Sequence, residues 1–314
     1  MNYIGVDIGG TKCSVTLGET DCSGNISVRR KHMFSTPYHD PYGTLSIFAD
    51  KAAEYSAEAE IAGIGISCGG PLDSRSGVIM SPPNLPGWNE IYIIDYFKER
   101  FNVPVYLQND ANACAIAEWR YGAGKGYENV IFLTFGTGLG AGLILGGRLY
   151  EGANGMAGEV GHIRLSAGGP EGYGKNGSFE GFCSGAGITR IAKMRLVNGG
   201  EALLMAAGSI DGITTKLIAE LADGGDSFCR EIFAESGRML GMGLSFLVDI
   251  INPEIIVIGS VFARSSHLLK PYAEEVLEKE ALQLNRSVCR IVPATLGDDI
   301  GDIAALSVAA GGYL

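Results

Sequence analysis

The feature that most constrains this chain is a strand–glycine–strand run that occurs twice. Tyr3–Ile8 has the apolar pattern of a buried strand. Gly9-Gly10-Thr11-Lys12 makes a tight turn and Cys13–Leu17 a second strand; Asp21–Asn25 then turns the chain into a third, Ile26–Met33. About 127 residues later the pattern returns as Val130–Phe135, Gly136–Gly140 and Ala141–Leu145, with Gly146-Gly147 turning into Arg148-Leu149-Tyr150. A glycine turn that leads back into a strand makes a hairpin, whereas a dinucleotide-binding fold leaves its glycines into a helix. The chain is therefore not expected to open on a Rossmann unit. Two copies of one glycine hairpin predict two related α/β halves facing each other over a cleft.

Each hairpin has the makings of an anion cradle. Thr137 and the four glycines Gly136, Gly138, Gly140 and Gly142 offer backbone N–H groups with little side chain in the way. In the first hairpin, Asp7 ends the strand just before the turn. A carboxylate there can hold a hydrated Mg²⁺ between itself and phosphate groups, within reach of Thr11 and Lys12. The bland alternative is a plain turn with a surface lysine.

Three further stretches carry polar chemistry. Asn109-Asp110 follows a strand over Val103–Leu107 and starts a helix over Ala111–Tyr121. Asp110 is there either an N-cap or a general base for an attacking hydroxyl, and the helix N-terminus would keep it ionised. Glu159 and His162 lie three residues apart in the glycine-rich run Met156–His162, and such a pair can hold hydroxyls of a sugar-like ligand. Glu180, after Gly177-Ser178-Phe179, has no signal of its own.

The remainder reads as alternating helix and strand. Helices are expected over Leu45–Glu60, Tyr92–Phe101, Ile188–Leu196, Ile213–Leu221 and Phe228–Ile250, the last stopped by Asn252-Pro253. Pro82–Trp88 is a loop by its prolines. Glu254–Ile258 and Val288–Val292 read as strands, and Leu268–Ala281 and Asp302–Ala310 as helices. Gly122–Gly126 is the best linker. The expected domains are 1–121, completed by a C-terminal helix within 300–314, and 122–299.

A formal net charge of −11 argues against nucleic acid or an anionic membrane as the main partner, because phosphate backbones call for basic patches. The seven cysteines are scattered, with no C-x-x-C pair, which is expected of reduced thiols. Met1-Asn2-Tyr3-Ile4 enters a strand pattern with no signal-peptide character, so a soluble cytoplasmic protein is expected.

Taken together, Asp7–Lys12, Asn84–Trp88, Asn109–Asn112, Phe135–Gly142, Gly158–His162 and Ile255–Gly259 resemble the ROK family of sugar kinases and sugar-responsive repressors. The resemblance implies an actin-like ATPase (ribonuclease H-like) fold and ATP-dependent phosphorylation of a hexose, most simply glucose to glucose 6-phosphate. It implies Asp110 as the base. It implies that Asn109, Glu159, His162 and Glu180 contact the sugar, with Gly70 and Asn84 lining the cleft. Gly9, Gly10, Thr11, Lys12, Gly136, Thr137 and Gly138 would hold the ATP phosphates, Gly259-Ser260 would lie near the adenosine, and the protein would be a homodimer. The alternatives are an N-acetylglucosamine or N-acetylmannosamine kinase, a sugar-responsive regulator and a sugar-binding protein without catalysis. The regulators carry a helix-turn-helix ahead of the kinase-like body, whereas here the body begins at Met1.

Two departures stand out. Family members usually carry C-x-C-G-x-x-G-C-x-E, whose cysteines join the histidine of the G-H pair around zinc. Counted back from Glu180, the cysteine positions here are Glu171, Tyr173 and Ser178, while Gly174 and Gly177 remain. One histidine and one carboxylate do not make a structural N/S site, so no zinc is expected. The second departure is Gly259-Ser260, where the family more often has consecutive glycines.

Overall fold

A computed structural model of the 314-residue chain describes residues 1–37 and 39–311. Its main elements, in chain order, begin with β1 (Asn2–Ile8), β2 (Lys12–Thr20), β3 (Ile26–Ser35), α1 (Pro41–Glu58), β4 (Ile61–Cys68), β5 (Val105–Asn109) and α2 (Asp110–Tyr121). They continue with β6 (Val130–Leu133), β7 (Ala141–Leu145), α3 (Gly185–Arg195), α4 (Ser227–Ile251), β8 (Ile255–Ile258), α5 (Ser260–Glu280), β9 (Arg290–Pro293) and α6 (Ile300–Ala309). The chain forms two compact units. The first is Met1–Glu128 with Gly142–Ala157 and Leu296–Leu314; the second is Asn129–Ala141 with Gly158–Thr295. Of the expected closing segment 300–314, residues 312–314 lie outside the described residues.

The first unit is built on a five-stranded sheet in the order β3-β2-β1-β4-β5. β1 and β2 pair antiparallel from Asn2 opposite Glu19 to Ile8 opposite Cys13, which is the expected hairpin. β1, β4 and β5 run parallel, and their register sets Ile8 beside Cys68 and Cys68 beside Asn109. Three strands therefore end level at one edge, where parallel sheets characteristically bind ligands. Ile4, Val6, Ile64 and Ile66 are fully buried in a core shared with Phe48, Tyr55, Trp88 and Phe97. Each such side chain contributes about 1.5–3 kcal/mol by leaving water. α6 lies against glycines of this sheet: a Cβ on Gly65 would stand 2.2 Å from the Ala305 carbonyl oxygen. That contact explains why an alanine-rich helix at the far end of the chain belongs to the first unit.

In the second unit β6, β8 and β9 pair in parallel, with Ile255 opposite both Val130 and Arg290. All four residues of β8 are buried, as a continuous apolar run requires in a covered parallel strand. α4 starts at an Asp226 cap that accepts from the Cys229 N–H (2.8 Å) and stops at Asn252, whose φ of 51° is left-handed. It packs closely on α5, because a Cβ on Gly241 would come within 2.4 Å of the Ala273 carbonyl oxygen. The helix expected from Leu268 begins at Ser260, since β8 runs straight into it, and it bends at Ser265. Short elements at Glu201–Ala207 and Gln283–Val288 had no clear apolar period in the sequence. Among the described residues no helix is long and apolar enough to cross a membrane.

Candidate active site

The level strand ends of the first unit bring most of its predicted site residues together. Gly9 N–H donates to the Lys12 carbonyl (3.1 Å), closing the turn after β1, and Thr11 and Lys12 are exposed at its tip. A Cβ on Gly10 would lie 2.8 Å from the Asn84 Cβ, so the turn meets the Pro82–Trp88 loop there. That loop is anchored by Leu85 and Trp88, both fully buried. A Cβ on Gly69 would stand 3.5 Å from Asn84 Oδ1 and 3.8 Å from Asp110 Oδ2, and one on Gly70 would stand 3.3 Å from Asn109 Nδ2. Asp7, Gly10, Gly70, Asn84, Asn109 and Asp110 thus share one sheet edge.

Which residue caps α2 is decided by one residue of register. Asn109 is the N-cap of α2, its Oδ1 accepting from the Ala111 N–H (3.0 Å) and the Asn112 N–H (3.4 Å). Asp110 is the first helical residue, and its Oδ1 also accepts from Ala111 (2.8 Å). Its capping task is taken by its neighbour. Water reaches Asp110, yet protein surrounds it closely enough that burial raises its carboxyl pKa, while the Ala111 N–H pulls the other way. Desolvation is thus a larger effect on this carboxyl than its hydrogen bonds at the helix terminus.

Asp7 is more strongly perturbed, its pKa raised to about 7. Burial is the largest cause, followed by the charges of Asp110 and Asp302; Ser67 and Lys31 oppose the shift. Asp302 enters from α6, accepts from Ser14 (3.0 Å) and Thr16 (2.8 Å), and pairs with Lys31. A hollow of about 90 Å³ opens beside Asp7, lined also by Lys12, Lys31, Asp298 and Asp302. Mg²⁺ commonly takes one carboxylate, its own waters and substrate phosphates, so a strand-end carboxylate under excess negative charge fits it.

In the second unit the Gly136–Gly140 loop is held from several sides. Gly136 N–H donates to the Gly138 carbonyl (3.0 Å), and the Gly140 N–H donates to Thr134 Oγ1 (2.9 Å). Glu180 Oε2 accepts from the Leu139 N–H (3.0 Å), and a Cβ on Gly138 would stand 2.6 Å from that oxygen. Gly259 N–H reaches the Leu133 carbonyl and Val261 N–H the Phe135 carbonyl, both at 2.9 Å. The predicted loop Gly136-Thr137-Gly138 therefore lies beside Gly259-Ser260, a Cβ on Gly136 standing 3.6 Å from Ser260 Oγ. Ser260, where glycine is usual, has a φ of 52°, a left-handed conformation that glycine adopts at least cost. Sequence reasoning missed the N-terminus of α3, whose Gly185 N–H donates to the Gly136 carbonyl (2.7 Å). The Ser184 cap, accepting from the Gly187 N–H, was the available signal.

The residues of this unit expected to contact a sugar lie near the same loop. Gly158, with φ of 94°, is bound to Ala141, and a Cβ on Gly161 would lie 3.3 Å from the Glu180 Cβ. Glu159 stands between them at the start of a single turn, Val160–His162. His162 is exposed and meets the Tyr173 ring edge-on at 5.9 Å, and the Lys175 ammonium donates to its carbonyl (2.7 Å). Ser178 is fully buried; its hydroxyl donates to the Gly172 carbonyl (3.0 Å) and accepts from the Gly181 N–H (3.1 Å). At the three positions where thiolates would stand, Glu171 offers a carboxylate, Tyr173 an aromatic ring and Ser178 a hydroxyl committed to capping a helix, a donor set unlike that of a structural N/S zinc site.

The comparisons with known proteins bear on this geometry. The ROK family model matches residues 3–311. The glucokinase of Streptomyces coelicolor is 33% identical over 312 residues, covering 98% of this chain and 96% of that protein. A xylose repressor of Caldicellulosiruptor bescii is 33% identical over 222 residues, covering 70% of this chain and 55% of the repressor. A crystal structure of a ROK family glucokinase from Streptomyces griseus, in complex with glucose and AMPPNP, superposes with a TM-score of 0.82 at 32% identity, covering 99% of this chain and all of that one. The fold is the actin-like ATPase fold expected from the sequence.

Proposed function

The chain belongs to the ROK family, and we propose that it is an ATP-dependent hexose kinase that phosphorylates O6 of glucose. The observation that carries the reading is the level edge of the first unit, where a phosphate-type turn, an amide and a carboxylate that is not the helix N-cap stand side by side. Asp110 accepts the proton of the attacking hydroxyl. Its raised pKa suits a base better than a fully stabilised carboxylate would, since proton transfer is most effective when acid and base are matched. Asn84, Asn109, Glu159, His162 and Glu180 are the residues that orient the sugar. The Gly9–Lys12 turn and the Gly136–Gly138 loop receive phosphate oxygens on N–H groups other than those of Gly9 and Gly136, which close the two turns, with Gly259-Ser260 towards the adenosine. Mg²⁺ held at Asp7 through water would neutralise phosphate charge. The two compact units serve as the two domains, and the protein acts as a cytoplasmic homodimer.

ADP release measured over glucose, mannose, fructose, N-acetylglucosamine and N-acetylmannosamine tests the reading. Glucose is expected to turn over fastest; preference for an N-acetylated sugar would make it an N-acetylhexosamine kinase. Asp110→Asn should lower kcat by about 10³-fold with sugar binding retained. The likeness to xylose repressors supports a second reading, a sugar-responsive regulator, and sugar binding without any turnover would favour it.

A further inference from the structure

Beneath the Asn109-Asp110 pair lies a buried hydrogen-bonded chain that the mechanism above does not use. Gln108 is 1% exposed. Its Oε1 accepts from the Asn109 N–H (2.8 Å) and from Asn112 Nδ2 (3.1 Å). A backbone N–H can only donate, so the orientation of this amide is fixed by chemistry: the oxygen faces Asn109 and the NH₂ faces away. Nε2 then donates to Glu151 Oε1 (3.1 Å), which also accepts from Ser74 Oγ (2.8 Å). The Glu151 carbonyl accepts from the Ala157 N–H (3.1 Å), closing the run of chain that leads on to Glu159.

We infer that Gln108, anchored by Glu151, is a positioning residue for Asn109 and Asp110. Gln108 fixes the peptide immediately before the helix cap and also holds Asn112, two residues beyond Asp110. Both flanks of the base are thereby tied to one amide. Glutamate at position 108 would keep the acceptor for Asn109 but turn a second carboxylate towards Glu151. Glutamine is the side chain that satisfies both neighbours.

The inference rests on the kinase reading, and the test separates the two. Gln108→Glu should lower kcat about tenfold or more, the worth of a buried hydrogen bond turned repulsive, with KM for ATP unchanged. The double variant Gln108→Glu/Glu151→Gln restores one donor facing one acceptor, so it should recover most of the loss. A side chain that merely supports the fold would move the melting temperature without this kcat-selective loss and rescue. Amide exchange of peptides spanning 105–112 should quicken in the single variant and return in the double. Should Gln108→Glu fail to fold, Glu151→Ala removes the anchor alone and carries the same expectations. Unchanged kcat and unchanged exchange would overturn the inference, as would a loss that the double variant fails to recover. If the wild type phosphorylates no sugar, the kinase reading falls, and the exchange measurement still decides the role of Gln108.

Discussion

The Gly9–Lys12 turn is held by its own backbone, whereas the Gly136–Gly140 loop is held by partners far along the chain. The first turn joins two strands that pair along their whole length, and its closing bond is Gly9 N–H to the Lys12 carbonyl. The second leaves a four-residue strand and relies on Glu180, on Gly185 at the start of α3 and on the residues after β8. A ladder gives rigidity locally, where the sequence can show it. A loop fastened by side chains and helix ends depends on residues that no local pattern connects to it. The same contrast separates their neighbours, since Asp110 is placed by strand register and His162 by a ring and an ammonium.

Substitutions should break this symmetry in order of size. Gly9→Ala puts a Cβ 2.6 Å from a backbone oxygen that cannot move without the ladder, and should cost about 2 kcal/mol of stability, measured by denaturant unfolding. Gly138→Ala puts its Cβ at the same 2.6 Å, but against the end of the Glu180 side chain. Stability should change by less than about 0.5 kcal/mol, while the sugar KM rises roughly tenfold as Glu180 leaves Leu139. Equal stability losses in the two variants would remove the distinction.

Asp7 gives a pH-dependent test of the ladder side. A carboxyl whose folded pKa stands near 7, above its ordinary 3.8, binds its proton more tightly when folded. Ionised Asp7 therefore destabilises the protein above about pH 7, and that penalty fades as the pH falls towards the unfolded value. In the absence of nucleotide and divalent cation, Asp7→Asn should raise Tm by about 3 °C at pH 8, with the gain shrinking towards pH 4. A gain independent of pH would mean that charge is not its cause. The smallest effect belongs to the loop side: treating the purified protein with a zinc chelator should leave Tm within about 1 °C, because Tyr173 and Ser178 supply packing and a cap where thiolates would stand. Stoichiometric zinc in the purified protein would contradict this.

What the sequence by itself determined was whatever repeats or alternates along the chain. The β1–β2 hairpin, the second glycine loop, the buried β8 and the long α4 with its Asn252-Pro253 stop were all legible, because period and turn chemistry are local. Asp110 was legible as a candidate, but its freedom from capping was not, since that depends on which of two adjacent residues begins the helix. Tertiary structure alone decided the rest. The β1–β4–β5 register levelled three loops, α6 brought Asp302 close enough to help raise the Asp7 pKa, and Glu180 and Gly185 were fastened to a loop more than 35 residues earlier. Those relations come from the packing of distant segments, and desolvation and close approach exist only once such segments meet.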